Sequence, residues 1–259
     1  MITSLQNPRL QEVRAYLSRS RERDAAQVFI TEGVRLVEEV HSTGWPVEYL
    51  LYADDLAERG RQIIQAFRQQ GVECLEVKRD ILHKVSDTEH TQGILAVCKR
   101  HAPPSRQPLS FVIVIDALRD PGNLGTILRS AASANAEAIW VSPGTADPFS
   151  PKVLRAGMGA HFRLPIVFMS WEEVQANARQ AHLNMYFSDA EGATALWDVD
   201  FKQPTAIIIS NEAEGASDFA RQCANGSVRI PMPGKFESLN AGAAASIMIF
   251  EVVRQRSST

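Results

Sequence analysis

The sequence has few cysteines, and none of them is close to another. Cys74, Cys98 and Cys223 are the only three in 259 residues, and the six histidines are scattered as well. Structural zinc sites use closely spaced pairs of such residues, and disulfide scaffolds use an even number of cysteines. We therefore predict neither a metal site nor a disulfide framework.

Long apolar runs are also missing. A helix that spans a bilayer needs about 20 consecutive apolar residues, and no stretch of the sequence approaches that length. The N-terminal residues MITSLQNPRL lack the pattern of a secretory signal peptide. The apolar content of 45% is ordinary for a globular protein. These features predict a cytoplasmic protein without a membrane partner.

The sequence also has no excess of basic over acidic residues. The formal net charge is −3, whereas proteins that attract nucleic-acid phosphates usually carry a basic footprint. Any RNA contact must therefore come from a local patch. The best candidate is the first predicted helix, where five arginines outnumber two glutamates; the arginines are Arg9, Arg14, Arg19, Arg21 and Arg23. On composition alone, an ordinary solvated helix face is the favoured interpretation.

A proline-rich stretch divides the chain. Residues 101–110 read HAPPSRQPLS, and proline fixes φ and removes a backbone donor, which suits a linker. We therefore predict one domain over residues 1–104 and another over residues 105–259. In the first half, strands alternate with amphipathic helices, which predicts a small α/β domain. The predicted strands there are 27–31, 47–52, 72–77 and 93–98, and the predicted helices are 34–41 and 56–70.

The second half predicts an open parallel sheet with helices on both sides. Residues 111–115 read FVIVI, a β-branched run typical of a strand buried on both faces. Further predicted strands are 138–142, 164–169, 184–188, 206–209 and 227–231. The predicted helices between them are 124–135, 151–160, 171–182, 217–223 and 239–255.

The loop after the first of these strands reads DALRDPGNLG and continues as TILR. Asn123 is suited to cap a helix that starts at Leu124, and Gly125 allows a close approach of a ligand or another backbone. Arg129 lies one helical turn beyond Gly125. The spacing matches neither of the common phosphate-binding loops. A capped helix with a solvated arginine explains the loop equally well.

Two further loops carry unusual polar residues. Residues 210–215 read SNEAEG and follow a buried strand, so they are either a polar ligand site or a hydrated turn. Residues 229–240 read RIPMPGKFESLN, where two prolines stiffen the backbone and Ser238 is a plausible N-cap. The small residues that follow, from Ala241 to Ser246, predict a helix that packs closely against another backbone.

Together the three loops resemble the motifs of the SpoU (TrmH-like) branch of the SPOUT RNA methyltransferases. The matching elements are N-x-G-x-x-x-R at 123–129, N-E-x-x-G at 211–215 and I-P-M-x-G-x-x-x-S-L-N at 230–240, in the family's order. Residues 29–37 and 91–96 are similar to its substrate-binding domain. The resemblance thus spans nearly the whole chain.

The resemblance implies a fold and an activity. The C-terminal domain would be a trefoil-knotted α/β domain with a parallel sheet, and the N-terminal domain would be L30e-like and hold RNA. The protein would be a homodimer that transfers a methyl group from S-adenosyl-L-methionine to a ribose 2′-hydroxyl, most often in 23S ribosomal RNA. A transfer RNA target, a base methyltransferase and a non-catalytic RNA-binding protein are the alternatives.

The resemblance also implies roles for individual residues. The cofactor-binding positions are Ser210, Asn211, Gly215, Ile230, Met232 and Leu239. The catalytic positions are Arg129, Asn123, Glu212, Ser238 and Asn240. One departure is that Ser210 stands where the family usually has glycine, which adds a side chain beside the cofactor.

Overall fold

The computed structural model describes residues 1–101, 103, 108–211, 214–234 and 238–257. The chain divides into two compact units. The first consists of Met1–His101 with Asp147–Phe162, and the second of Ala102–Ala146 with Arg163–Thr259. Residue 104, the predicted domain boundary, lies outside the described residues, and the boundary stays a prediction.

The first unit is a small α/β fold around a four-stranded sheet. The sheet order is β1-β4-β2-β3, with β4 antiparallel to both neighbours and β2 parallel to β3. The strands are β1 (Val28–Glu32), β2 (Val47–Ala53), β3 (Glu73–Val77) and β4 (Ile94–Lys99). The helices are α1 (Pro8–Ser18), α2 (Ser20–Ala26), α3 (Val34–Ser42), α4 (Glu58–Gln69), α5 (Arg79–His83) and α7 (Pro151–Gly157), the last from the segment 147–162.

The segment 147–162 is held in the first unit by aromatic packing and one buried ion pair. The Phe29 ring lies with its centroid 5.4 Å from that of Phe149 and 6.1 Å from that of Phe162. Arg23, only 4% exposed, donates to the Asp147 carboxylate through Nε at 3.1 Å. The sequence predicts this segment as part of the C-terminal domain, because packing against residues distant in the sequence leaves no local pattern of apolar residues.

The second unit contains a seven-stranded sheet in which every strand pair is parallel. Its order is β7-β6-β5-β10-β8-β11-β9. The strands are β5 (Phe111–Asp116), β6 (Ala138–Val141), β7 (Ile166–Phe168), β8 (Asn184–Ser188), β9 (Thr194–Ala195), β10 (Thr205–Ser210) and β11 (Gly226–Arg229). The helices are α6 (Pro121–Ser133), α8 (Trp171–Gln180), α9 (Asp218–Cys223) and α10 (Ala241–Ser257).

The parallel sheet confirms the predicted α/β class. Every residue of β5 and β10 is buried, as the continuous apolar runs in these two strands predict. The predicted strands and helices are present with ends shifted by a few residues, except that the first predicted helix, which carries the five arginines, is wrong as a single helix. It is divided into α1 and α2 because Arg19 between them has an extended backbone, with φ −131° and ψ 117°. The two-residue strand β9 and the five-residue helix α5 were not predicted, because such short elements carry no periodicity. The trefoil knot stays a prediction.

Two predicted helix caps are wrong. Asp120, not Asn123, caps α6, and its side chain accepts from the Asn123 backbone N–H at 2.7 Å. Helix α10 begins at Ala241, where Asn240 Oδ1 accepts from the Ala243 N–H at 3.2 Å, so Asn240 takes the place predicted for Ser238. In both cases several good capping residues are adjacent, and tertiary packing decides which one is used.

Candidate cofactor pocket and active site

A pocket opens in the second unit at the carboxyl ends of β8, β10 and β11. Its cavity volume is about 240 Å³. This edge of a parallel sheet is where ligands usually bind, because the loops that follow the strands meet there. The lining residues are Ser188, Asp189, Ala190, Ser210, Asn211, Gly215, Ala216, Arg221, Val228, Ile230, Met232, Ser238, Leu239, Ala241 and Ala244.

The six residues that the sequence suggested for cofactor binding all line this pocket. They come from two loops, 210–215 and 230–239, that are separated by α9 and β11. The described part of the second loop forms no helix or strand. Gly215 has φ +68°, a conformation that glycine adopts at little cost, and it closes the first loop by donating to the Asn211 carbonyl at 2.9 Å.

Ser210 is tied to a buried carboxylate below the pocket. Ser210 Oγ donates to Asp116 Oδ2 at 2.9 Å, and the Ser217 N–H donates to the same oxygen at 2.8 Å. Asp116 is 1% exposed, so these charge-assisted hydrogen bonds replace its contact with water. The serine side chain thus joins β10 to β5 and to the start of α9. Asp116 was not among the predicted site residues, although a charged residue at the end of an apolar strand is a usable signal.

A second acidic residue lines the pocket after β8 and was also missed. Asp189 Oδ1 accepts from the Glu191 N–H at 3.0 Å, and Arg221 Nη1 lies 3.8 Å from Asp189 Oδ2. Arg221 is held over the Phe187 ring, 5.2 Å from its centroid. Its Nε donates to the Ala216 carbonyl at 3.1 Å. Among the described residues that line the pocket, Asp189 and Arg221 therefore offer a carboxylate and a guanidinium, each already oriented by the protein.

The start of α10 packs directly against α6. Asn240 Nδ2 donates to Asn123 Oδ1 at 2.8 Å, which brings together two of the predicted catalytic residues. One layer further along, the hydroxyls of Ser130 and Ser246 are 2.8 Å apart. Since Leu239 and Ala241 line the pocket, the asparagine pair lies at its border.

The close packing of these helices depends on Gly242. A Cβ atom added to Gly242 would lie 3.2 Å from the Cβ and Cγ2 atoms of Thr126 on α6. This distance is shorter than normal carbon contacts of about 3.5–4.0 Å. The small-residue stretch predicted to pack closely does so at this position.

The remaining predicted catalytic residues are Ser238, Arg129 and Glu212. Ser238 is exposed and lines the pocket. Arg129 is exposed on α6, and within the described parts of the chain its guanidinium forms no hydrogen bond or ion pair. Glu212 lies outside the described residues.

The described residues contain no group of three or more side chains suited to hold a metal ion. Among the same residues, no helix is both long enough and apolar enough to cross a membrane. The pocket itself combines apolar side chains with a few convergent polar groups, as sites for small organic ligands do.

Comparison with known proteins identifies two family models. Residues 110–250 match the SpoU rRNA Methylase family, and residues 7–96 match the MRM3-like substrate binding domain. The chain is 30% identical to the 23S rRNA (guanosine(2553)-2′-O)-methyltransferase RlmP of Bacillus subtilis, over 91% of this chain and 92% of that protein. It is 33% identical to the 23S rRNA (uridine(2479)-2′-O)-methyltransferase of Streptomyces viridochromogenes, over 98% and 92%.

Solved structures agree with these matches. The SpoU methyltransferase AviRb of Streptomyces viridochromogenes, solved in complex with the cofactor AdoMet, superimposes with a TM-score of 0.86 at 33% identity. The match covers 98% of this chain and 100% of that one. The matched family model, the relatives of nearly equal length and the shared fold lead to one conclusion: the chain belongs to the SpoU rRNA methylase family.

Proposed function

We propose that this protein transfers the methyl group of S-adenosylmethionine to a ribose 2′-hydroxyl of ribosomal RNA. The observation that carries the proposal is the pocket at the strand ends, where the two loops with family motifs meet beside the Asn123–Asn240 pair. The relatives named above methylate 23S ribosomal RNA at 2′-oxygens, which supports the same substrate class here.

The pocket residues suit S-adenosylmethionine. Ile230, Met232 and Leu239 offer apolar surface for the adenine ring, while Ser210 and Asn211 offer polar and backbone groups for the ribose and amino-acid parts. When bound, the cofactor supplies a methyl group on a positively charged sulfur. A short distance between that carbon and the ribose oxygen, about 3–3.5 Å, then provides much of the rate enhancement.

Arg129 is proposed to act on the RNA rather than on the cofactor. An arginine stays protonated at neutral pH, so it is poorly suited to be a general base. Its guanidinium is exposed and has no partner among the residues that the structure describes, so it is available to hold the phosphate next to the target ribose and to stabilise the developing negative charge on the 2′-oxygen. The proton would leave through a neighbouring group or water.

The other candidate residues would position the reacting groups. In the Asn123–Asn240 pair, the Asn240 amide donates to Asn123 Oδ1, and its own Oδ1 accepts from the Ala243 N–H. This arrangement fixes both side chains at the border of the pocket. Ser238 would contact the ribose or the cofactor carboxylate. Glu212 stays a candidate on its sequence position alone.

We assign RNA binding to an N-terminal domain over residues 1–104 and methyl transfer to residues 105–259. The match of residues 7–96 to a substrate-binding domain supports this division. Because ribosomal RNA is the proposed substrate, we place the protein in the cytoplasm.

We further propose a homodimer in which α10 contributes to the interface. Ile247 and Phe250 are 36% and 47% exposed, and with Ala243 they form one face of α10 at helical spacing. Large apolar side chains on one exposed face are typical of protein interfaces.

Sedimentation equilibrium should give twice the monomer mass, and Phe250→Glu should shift the measured mass towards that of the monomer. A monomeric unaltered protein would contradict the dimer.

Methyl transfer from labelled S-adenosylmethionine to unmodified 23S ribosomal RNA tests the proposed function. Alkaline hydrolysis of the product should leave an alkali-resistant dinucleotide that carries the label, because only a 2′-O-methylated link survives. Label recovered in single nucleotides would instead indicate base methylation. No transfer to any RNA, together with no binding of the cofactor, would contradict the proposal.

Arg129→Ala tests the proposed role of the arginine. We expect transfer to fall by a factor of about a hundred or more, as for the loss of a group that stabilises transition-state charge, while cofactor affinity measured by calorimetry stays nearly unchanged. Arg129→Lys, which keeps the charge but loses the paired donors, should retain intermediate activity. Full activity in Arg129→Ala would refute the assignment.

A further inference from the structure

The five arginines near the N-terminus divide into two groups in the structure. Arg9 pairs with Glu12 at 3.1 Å and with Glu73 at 3.3 Å, and Arg23 is buried against Asp147. Both positive charges are therefore neutralised within the first unit. Arg14, Arg19 and Arg21 remain exposed. Three arginines are therefore available to a partner, rather than the five that the sequence suggested.

Two of the exposed arginines line a groove. Gln11, Arg14, Ala15 and Ser18 follow one face of α1 at helical spacing, and Arg19 continues the same wall at the end of the helix. Residues 85–87 form the opposite wall, and the cavity volume is about 420 Å³. Arg21 does not line it.

The charges in the groove are unbalanced in favour of the arginines. Arg14 has no hydrogen bond or ion pair from its guanidinium within the described chain, and Arg19 has only a 4.0 Å contact with Glu22. Surface pairs of this kind contribute little. Asp87, the one acidic residue among the described residues of the groove, is already paired with Arg155 at 2.6 Å. The described lining therefore presents two available guanidinium groups and no unpaired carboxylate.

We propose that this groove, between Arg14 and Arg19 on one side and residues 85–87 on the other, binds the phosphate backbone of the substrate RNA. Guanidinium groups donate pairs of hydrogen bonds to phosphate oxygens, and contacts to phosphates fix the position of a nucleic acid but carry no sequence information. The contact thus positions the RNA without specifying the nucleotide. It also explains how a chain with net charge −3 can hold a polyanion. This inference rests on the proposed function, because it takes the RNA as the substrate.

The test is the salt dependence of binding to in-vitro-transcribed 23S ribosomal RNA. Each lost phosphate contact lowers the slope of log affinity against log salt concentration by about one. The double variant R14Q/R19Q should therefore lower the slope by about two and weaken binding roughly tenfold at ~0.1 M salt. The single variants R19Q and R21Q are the matched pair: each removes one exposed positive charge, but only Arg19 lines the groove. R21Q should weaken binding much less than R19Q.

The outcomes separate this inference from the proposed function. Unchanged affinity and slope in R14Q/R19Q would overturn the groove assignment. A loss as large in R21Q as in R19Q would also overturn it, since the effect would then be one of general charge. Cofactor affinity should be the same in all variants. If the unaltered protein bound no RNA, the proposed function would fail together with the inference.

Discussion

The hydroxyl of Ser210 shows how one side chain can support a binding loop. It donates to the Asp116 carboxylate, which also accepts from the Ser217 N–H, so one buried charge connects β5, β10 and the start of α9. The loop that contains Asn211 and Gly215 lies between these two donors. Loss of either donor leaves a buried carboxylate with less compensation for its lost hydration.

Ser210→Ala should therefore destabilise the protein. Hydrogen bonds to charged groups contribute about 1.5–3 kcal/mol, and we expect a loss of that order in the free energy of unfolding, measured with urea. Ser238→Ala makes the same chemical change at an exposed position of the same pocket. It should change stability by less than about 0.5 kcal/mol. Equal effects of the two substitutions would show that the Asp116 contact contributes nothing.

His161 gives the first unit a pH-dependent stability. Burial lowers the pKa of His161 to about 4, although the hydrogen bond to the Pro148 carbonyl and the nearby Asp147 favour the charged form. The unfolded chain, with an ordinary histidine pKa near 6.5, binds a proton more readily than the folded one. The contribution of His161 is thus fully present above about pH 6.5 and is lost as the pH falls towards 4.

We expect His161→Leu to remove this part of the pH dependence. Between pH 6.5 and 4, the stability of the unaltered protein should fall more steeply than that of the variant, by about 1.4 kcal/mol per pH unit. His90→Leu, at an exposed position, should keep the steep dependence. Parallel pH profiles for the unaltered protein and His161→Leu would contradict the expectation.

At the scale of elements, the contact between α6 and α10 forms the border of the pocket. It is built from the Asn123–Asn240 and Ser130–Ser246 hydrogen bonds and from the close approach at Gly242. Glycine lowers helix stability by about 1 kcal/mol relative to alanine, so its presence near the start of α10 indicates that the packing requires it.

Gly242→Ala should destabilise the protein despite its better helix propensity. The added Cβ would lie 3.2 Å from two carbon atoms of Thr126, and forcing extra atoms into close packing costs about 1–3 kcal/mol. Thr126→Ala removes one of those atoms, so the double variant should recover part of the loss. Gly226→Ala, where the nearest atom would be 3.9 Å away, is the matched control. A Gly242→Ala variant more stable than the parent would refute the packing argument.

Much of the element structure could be predicted from the sequence, because buried parallel strands such as β5 and β10 are continuous apolar runs. The cap of α6 could not be predicted, because Asp120 and Asn123 are both good capping residues. Only the packing of α10 against α6 shows that the Asn123 side chain accepts a hydrogen bond from Asn240. The six cofactor candidates came from motifs. Asp189 and Arg221 were missed because their relation depends on the neighbouring positions of β8 and α9.

At the scale of the whole molecule, cofactor binding and RNA binding are assigned to different compact units. Gly215→Val places a branched side chain at φ +68°, a conformation that such residues rarely adopt. We expect it to lower S-adenosylmethionine affinity by about tenfold or more, as for a strain of 1–3 kcal/mol, and to leave RNA affinity unchanged. The R14Q/R19Q variant should show the opposite pattern. A loss of both affinities in either variant would contradict the separation of roles.

The most direct test of the central claim is a map of ribose methylation in the ribosomal RNA of a strain that lacks this gene. We predict that one 2′-O-methylated nucleotide is missing from that map. The unaltered protein should restore it, and Arg129→Ala, produced at the same level, should not. A map identical to that of the parent strain, or full restoration by Arg129→Ala, would contradict the account.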